Sequence, residues 1–285
     1  MHHFQTRIKL TILIFVCFLS SCGQVEEMNI GDKIRAEIPK ASRSLPPADD
    51  WWKPKPGLSW QWQLSGKLDL SSHVDVIDID LDVHQSVVDY FHEQGTKVIC
   101  YINVGSWEDW RRDAIEFPSE VIGKDYQGWA GEKWLDISRI DLLAPIMRAR
   151  FDECARKGFD AIEPDNMEVV GANTGFNITP EDQLRYAIWL ADEAHSRGLA
   201  IGIKNTPNQV TELVDFYDFA ITEDCFHYGW CEQMLPFIKA GKAVFAAEYT
   251  DLTEDFSLAC EKSSQLGFST ILKRRNLGAW IEICQ

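Results

Sequence analysis

Segments with the apolar pattern of β-strands alternate along this chain with segments that have the pattern of helices. The strand-like segments are 59–64, 74–81, 97–104, 160–162, 199–204, 219–223, 243–248 and 269–273, and the clearest helix-like segments are 84–94, 142–157 and 179–197. Such alternation is typical of α/β folds in which parallel strands are joined by right-handed crossovers. Eight strands predict a (β/α)8 TIM barrel. A doubly wound open sheet is the alternative, but no glycine-rich nucleotide loop follows the first strand.

The first 21 residues have the pattern of a bacterial lipoprotein signal peptide and are not expected to belong to the fold. Arg7 and Lys9 precede a mostly apolar run, 10–19, that is too short to span a bilayer. Residues 19–22 (LSSC) resemble a lipobox, so we expect Cys22 to be lipidated; an ordinary cleaved signal is the alternative. The protein would then lie at the cell envelope, bound to the membrane through its lipid. In a Gram-negative cell it would be sorted to the outer membrane, because no Asp follows the cysteine.

Residues 22–50 are predicted to form a flexible tether, and residues 51–285 a single barrel domain. The tether region is polar and contains Pro46 and Pro47, which is typical of a linker. The remaining length suits one TIM barrel, which typically has about 250 residues.

The chain is strongly acidic, with 28 basic and 44 acidic residues and a formal net charge of −16. Nucleic acid is not expected as a partner, because binding to phosphate backbones needs basic patches. A cationic substrate would be attracted to such a surface. Plain solubility is the alternative explanation of the charge.

The cysteine spacing favours disulfides over a metal site. An exported protein can form disulfides, and Cys225 and Cys231 enclose a short aromatic loop, so we predict that these two cysteines pair. Zinc is the competing interpretation, but the chain lacks paired short Cys or His motifs. We predict no metal and no other cofactor.

Acidic residues are concentrated where two of the predicted strands end. The strand at 160–162 continues directly into Glu163, Pro164, Asp165 and Asn166, and the strand at 219–223 ends in Glu223 and Asp224. In a barrel of parallel strands, catalytic residues lie at this carboxyl end. Cleavage of a glycosidic bond typically requires two carboxyl groups, and these two strand ends would supply them. Other predicted strand ends carry Asp78, Asp80, Asp82, Tyr101, Asn103, Lys204, Asn205, Glu248, Tyr249, Lys273, Arg274 and Arg275.

An ordered set of motifs resembles glycoside hydrolase family 114. The motifs are 97–106 (KVICYINVGS), 134–137 (WLDI), 160–166 (DAIEPDN), 175–177 (GFN), 203–205 (IKN), 222–226 (TEDCF) and 241–249 (GKAVFAAEY). The resemblance covers about residues 51–249 and implies a TIM-barrel endo-α-1,4-polygalactosaminidase. Members often have Cys at the position of Phe159 and Gln at that of Asp224. The first departure implies that Cys100 pairs differently, with Cys154 as the candidate partner.

The resemblance implies that Asp165 and Glu223 are the catalytic pair. Related barrels place a nucleophile on the fourth strand and an acid/base on the sixth, so we assign Asp165 as nucleophile and Glu223 as general acid/base of a retaining enzyme. The alternative role of Asp165 is to cap a helix.

Further polar and aromatic side chains are candidates for substrate binding. The candidates are Asp80, Asn103, Glu163, Asn166, Lys204, Asp224, Glu248, Tyr249, Trp107 and Trp134, with Trp129 and Trp230 as further residues that could stack on sugar rings. An ion pair between Glu163 and Lys204 that orients the site is an equal alternative to direct contact. For each loop tryptophan the alternative is packing.

The leading hypothesis is therefore an endo-acting hydrolase of α-1,4-linked, galactosamine-rich exopolysaccharide, acting as a monomer. One alternative is a carbohydrate-binding lipoprotein without turnover, against which the intact Asp165 and Glu223 argue. Another is a hydrolase of a different α-galactoside. Release of reducing ends from the galactosamine polymer distinguishes turnover from binding alone.

Overall fold

The computed structural model describes Lys33 and residues 50–284. The predicted signal peptide, Cys22 and nearly all of the predicted tether lie outside the described residues. Within the described part of the chain, none of the helices combines the length and the apolar character needed to cross a membrane.

Eight parallel strands form a TIM barrel, as predicted. Residues 50–284 contain twelve strands, which are β1 (Trp60–Gln63), β2 (Val76–Asp80), β3 (Lys97–Asn103), β4 (Ser106–Glu108), β5 (Ile122–Asp125), β6 (Glu132–Leu135), β7 (Ala161–Asp165), β8 (Ala200–Lys204), β9 (Phe219–Glu223), β10 (Val244–Tyr249), β11 (Ser269–Lys273) and β12 (Ile281–Ile283). The barrel order is β1-β2-β3-β7-β8-β9-β10-β11, and β12 adds antiparallel to β11. Side chains join β1 and β11, since the Trp60 indole donates to the carbonyl oxygen of Ser269 at 2.9 Å and the Lys273 ammonium donates to Gln61 at 2.7 Å.

Each of the eight predicted strand segments contains or overlaps one barrel strand. The small antiparallel sheet β4-β6-β5, which fills the long connection between β3 and the next helix, was not predicted.

The helices are α1 (Gln85–Glu93), α2 (Ile140–Lys157), α3 (Pro180–His195), α4 (Val210–Leu213), α5 (Cys225–Tyr228), α6 (Leu235–Lys239) and α7 (Phe256–Leu266). Local sequence sets several of their ends. Thr179 and Asp182 form a reciprocal capping box before α3, with Pro180 in the first turn. Gly158 ends α2 with a left-handed backbone, φ 84°, which costs glycine little and turns the chain into β7.

Period-two alternation along the strands divides the apolar residues between the barrel interior and the layer beneath the helices. The interior holds a small aromatic cluster that includes Trp60, Phe219 and Phe245. Gly202 on β8 makes room for this cluster, because a Cβ atom there would overlap the Phe219 ring.

Three disulfides link the described residues. Cys225 and Cys231 are paired as predicted, with Cα atoms 4.8 Å apart, and they close the loop after β9. Cys100 pairs with Cys154, the candidate suggested by the resemblance, and thereby joins β3 to α2. Cys260 pairs with Cys284 and joins α7 to the end of the described chain.

Candidate active site

The last inward-facing residues of several barrel strands are polar, and they meet at the carboxyl-terminal mouth. Tyr101 on β3, Asp165 on β7, Lys204 on β8, Glu223 on β9 and Tyr249 on β10 share a strand face with the apolar residues of the barrel interior. They line a cleft of about 530 Å³. The fold thus gathers side chains that are far apart in the sequence.

The ammonium group of Lys204 lies between the two predicted catalytic carboxylates. Its Nζ atom is 2.7 Å from Asp165 Oδ1 and 3.2 Å from Glu223 Oε2. The Lys204 side chain is buried, whereas those of Asp165 and Glu223 are 17% and 27% exposed. The two acids therefore face the cleft, and the cation that joins them lies below.

Each of the two carboxylates also accepts a hydrogen bond from a tyrosine. Tyr101 donates to Asp165 Oδ2 at 2.8 Å, and Tyr249 donates to Glu223 Oε1 at 2.6 Å. Burial and the charge of Asp165 raise the pKa of Tyr101 well above its usual value. Burial and the charge of Glu223 do the same to the pKa of Tyr249. Both phenols therefore keep their protons and act as fixed donors.

The backbone is left-handed at residues that follow three of these strands. Asn166, Asn205 and Asp224 have φ values of 60°, 50° and 50°. Non-glycine residues adopt this conformation rarely, and such strain is concentrated at functional sites. Asn205 uses the turn to hold Glu223, because its Oδ1 accepts from the Glu223 N–H at 2.9 Å and its Nδ2 donates to Glu223 Oε2 at 3.3 Å.

A second carboxyl pair lies beneath Lys204. Glu163 Oε1 accepts from the Lys204 ammonium at 2.9 Å, and the buried Asp78 side chain lies against Glu163. Burial, followed by repulsion from Glu163, raises the pKa of Asp78 well above its usual value. Burial alone would lower the pKa of Lys204, but attraction by Asp165, Glu163 and Glu223 outweighs it and raises that pKa well above normal. Lys204 is therefore a permanent cation.

Two arginines neutralise other acids of the cleft. Arg111 binds Asp80 through two nitrogens, at 2.8 and 2.7 Å, and also contacts Glu108 at 2.8 Å. Arg275 contacts Asp224 at 3.0 Å and lies over the Tyr249 ring, 3.8 Å from its centroid. These contacts fix the orientation of both walls.

Exposed aromatic side chains flank the cleft on two sides. Trp110 and Trp129 come from the β4–β6 insertion, and Tyr228 comes from the disulfide-closed loop after β9. Their exposed fractions are 54%, 49% and 64%. Large exposed rings beside a polar cleft suit stacking on the apolar faces of sugars.

The family model for glycoside-hydrolase family GH114 matches residues 41–285. The chain belongs to this family. It is therefore a glycoside hydrolase, and the predicted family and enzyme class are confirmed.

Solved structures support the GH114 assignment. The chain is 33% identical to Ega3 of Aspergillus fumigatus, whose crystal structure was determined in complex with galactosamine; the TM-score is 0.78, and the match covers 85% of this chain and 100% of Ega3. The glycoside hydrolase domain of PelA from Pseudomonas aeruginosa shares the fold, with 13% identity, a TM-score of 0.63 and coverage of 80% and 98% of the two chains. No curated protein matches the chain.

In this GH114 chain, several predicted substrate contacts lie in the lining of the cleft. The residues in question are Asp80, Asn166, Lys204, Asp224 and Tyr249. The ion pair between Glu163 and Lys204, predicted as the alternative to sugar contact, is present.

Three predicted substrate contacts are corrected, because their side chains are buried and used within the protein. Glu163 is fully buried beneath Lys204. Asn103 is buried and donates to Ser106 Oγ at 2.6 Å. Glu248 is buried and accepts from the N–H groups of Phe226 and His227, which caps the first turn of α5. Strand-end position alone does not distinguish such roles from exposure in the cleft.

The tryptophan predictions are also corrected in part. Trp107 donates its indole N–H to the Ala114 carbonyl, and Trp134 packs on Tyr126 with ring centroids 4.3 Å apart; neither residue lines the cleft. Trp230 packs against the core, whereas Trp129 lines the cleft. Residues that the sequence prediction missed include Trp110, Tyr126, Tyr228, Arg111 and Glu132, which lie in loops, in the unpredicted sheet or, for Tyr228, at the end of the short helix α5.

Proposed function

We propose that this protein is an endo-acting hydrolase of α-1,4-linked, galactosamine-rich polysaccharide. The observation that carries the proposal is the position of Asp165 and Glu223, which share the Lys204 ammonium at the mouth of the barrel. The substrate class is supported by similarity to Ega3, which was crystallised with galactosamine. The excess of acids over bases in the chain suits a substrate with positively charged amines.

The spacing of the two carboxylates favours a retaining mechanism. The oxygens of Asp165 and Glu223 that contact Lys204 lie at most about 5.9 Å apart, because each is bound to the same nitrogen. Carboxyl groups about 5–5.5 Å apart are typical of retaining glycosidases, and inverting enzymes need about 6.5–9.5 Å to admit a water between them.

The first step forms a covalent glycosyl–enzyme. Asp165 Oδ attacks the anomeric carbon, and the bond from this carbon to the leaving oxygen breaks as Glu223 transfers its proton to that oxygen. Lys204 and Tyr101 stay bound to Asp165, so they hold the nucleophile in place. In the second step Glu223, now a carboxylate, takes a proton from the attacking water, and hydrolysis of the ester restores Asp165 and releases an α-configured reducing end.

The positions of the exposed aromatic rings support cleavage within a chain. Two barrel strands, β7 and β8, separate the strand before the insertion that carries Trp110 and Trp129 from the strand before Tyr228. Sugar rings can therefore be bound on both sides of the scissile bond.

Substitution of the catalytic pair tests this proposal. Asp165→Asn and Glu223→Gln should each fold normally and release reducing ends from deacetylated galactosamine polymer about 10²–10⁴-fold more slowly than the unmodified protein. For the unmodified protein, proton NMR of the products should show the α anomer first. Near-normal rates in either variant, with unchanged circular dichroism, would remove that residue from the chemistry.

A protein that binds the polymer without releasing reducing ends would be the carbohydrate-binding alternative. Turnover confined to another α-galactoside would reject the galactosamine substrate.

We also propose that the enzyme is a lipid-anchored protein of the cell envelope, on the basis of the lipobox at residues 19–22. Cys22→Ser should move the protein from the membrane fraction to the soluble fraction after cell disruption, because a lipid on Cys22 would be its anchor. An unchanged distribution would reject this anchor.

A further inference from the structure

One carboxylate in the cleft forms no salt bridge within the described part of the chain. Six acids line the cleft: Asp80, Glu108, Glu132, Asp165, Glu223 and Asp224. Lys204 contacts Asp165 and Glu223, Arg111 contacts Asp80 and Glu108, and Arg275 contacts Asp224. Among residues 50–284, no Lys, Arg or His side chain forms a salt bridge with Glu132.

Glu132 is nevertheless held firmly and almost completely buried. It lies at the start of β6 and is 7% exposed. Its Oε2 atom accepts a hydrogen bond from Ser106 Oγ at 2.6 Å, and Asn103 Nδ2 approaches the same oxygen at 3.4 Å. Asn166, which follows the nucleophile, donates to the same Ser106 hydroxyl at 3.4 Å. Glu132 is thereby linked to the strand end that carries Asp165.

Within residues 50–284, the charges that act most strongly on Glu132 are those of other acids. Burial, with repulsion from Glu108 and Asp165, raises the pKa of Glu132 to about 7 even though Ser106 and Asn103 stabilise the carboxylate. A buried carboxylate without a counter-charge is unfavourable, and a cation placed beside it stabilises it.

We infer that Glu132 is the specificity residue that binds the ammonium group of a 2-amino sugar next to the Asp165 subsite. The inference rests on the proposed function and deepens it. A protonated amine supplies the missing counter-charge, and the desolvated carboxylate then forms a charge-assisted hydrogen bond. An N-acetylated sugar carries no charge and leaves Glu132 unpaired, so the subsite discriminates against it.

The experiment compares wild-type protein with Glu132→Gln on deacetylated and fully N-acetylated galactosamine oligomers of equal length. Gln keeps the size of the side chain and removes its charge. For the variant, kcat/KM on the deacetylated oligomer should fall about 10–100-fold, as expected for one lost charged hydrogen bond. The value on the acetylated oligomer should be unchanged or higher. Glu116→Gln, an exposed acid in the same connection, is the matched control and should change neither value.

The pH dependence provides a readout that a structural role would not change. For wild-type protein, the ratio of kcat/KM on deacetylated to acetylated oligomer should fall as pH decreases through about 7, because Glu132 becomes protonated. The Glu132→Gln variant should lack the part of this pH dependence that comes from Glu132. The titration of the substrate amine itself is common to both proteins.

Calorimetric binding separates failure of the inference from failure of the proposed function. Deacetylated and acetylated oligomers are titrated into Glu223→Gln and into Glu132→Gln/Glu223→Gln. Selective loss of affinity for the deacetylated oligomer supports the inference even if no hydrolysis occurs. Equal losses of affinity for both oligomers, or no loss for either, overturn the inference about Glu132. A wild-type protein that binds the oligomers but does not hydrolyse them rejects only the hydrolase proposal.

Discussion

At the scale of single residues, the positions of the oxygen atoms imply that Asp78 and Glu163, the carboxyl pair below Lys204, share one proton. Both oxygens of Asp78 and Oε2 of Glu163 are buried without a donor if the two groups are counted as carboxylates. A proton on Asp78, donated to Glu163 Oε2, satisfies the contact between them. The strongly raised pKa of Asp78 agrees with this assignment. Glu163 then remains an anion and holds Lys204 from below.

This assignment predicts different results for two substitutions of Asp78. Asp78→Asn retains a donor for Glu163 and should keep kcat within a few-fold of the original value. Asp78→Leu leaves Glu163 Oε2 without a donor, which should cost about 1–3 kcal/mol in the free energy of unfolding. It should also lower kcat more than it changes KM, because Lys204 loses its fixed position between the two proposed catalytic carboxylates.

Urea unfolding and steady-state kinetics measure the two effects. If Asp78→Asn and Asp78→Leu lowered stability and kcat equally, Asp78 would act as an ionised group or only fill space. The hypothesis of a shared proton would then be rejected.

At the scale of elements, the small β4-β6-β5 sheet contributes much of one wall of the cleft. It follows β3 through Gly105, whose backbone lies directly against the end of β7. A Cβ atom on Gly105 would overlap the carbonyl group of Asn166. The close approach of these two segments brings Glu132 and the aromatic residues of the insertion next to Asp165.

Gly105→Ala should therefore destabilise the protein by about 1–3 kcal/mol, the usual cost of overpacking, and also reduce activity by displacing the end of β7. Gly278→Ala is the matched control, because a Cβ atom there meets its nearest neighbour at 3.6 Å, an ordinary contact. Thermal unfolding and reducing-end assays report the two effects. Unchanged stability for Gly105→Ala would show that β7 can shift freely and that the close approach does not position Asp165.

The barrel elements were predictable because strands buried in a parallel sheet carry long apolar runs and are separated by helices. The inserted β4-β6-β5 sheet was not predictable, because β4 and β5 are only three and four residues long. They depend on pairing with β6 rather than on a sequence pattern of their own. This is why Trp107 and Trp134 were predicted for sugar binding while Trp110 was overlooked. All lie in one aromatic connection, and only the pairing of the small sheet decides which rings face the cleft.

The positions of the two proposed catalytic residues were easier to predict than those of the residues that hold them. Alternation along β7 and β9 assigns Asp165 and Glu223 to the inward face at the strand ends. The same rule also selects Glu163, which lies one layer deeper on the same strand face. Depth within the barrel depends on how far each strand extends relative to its neighbours, and that register is not visible in one sequence.

At the scale of the whole molecule, the acidic charge acts over distances that individual contacts do not reach. With a net charge of −16, the protein should attract a polycation before contact, which affects the rate of encounter. Salt weakens this attraction, because exposed charges are largely screened beyond about 8 Å at physiological ionic strength. A buried pair in direct contact, such as the one proposed for Glu132, is screened much less.

Raising the salt concentration should therefore lower kcat/KM on deacetylated polymer and have a much smaller effect on acetylated polymer. The value of kcat should change little, because the chemistry proposed for Asp165 and Glu223 would take place within the cleft. Wild-type protein and Glu132→Gln should show nearly parallel salt dependences on deacetylated polymer, offset by the contact that the variant has lost. The measurement is kcat/KM against sodium chloride, at a fixed pH above 7 so that Glu132 is ionised in wild-type protein. Identical salt responses on the two polymers would contradict long-range attraction of a cationic substrate. A salt dependence that disappears in Glu132→Gln would mean that this one contact, and not the charge of the whole surface, is responsible for the attraction.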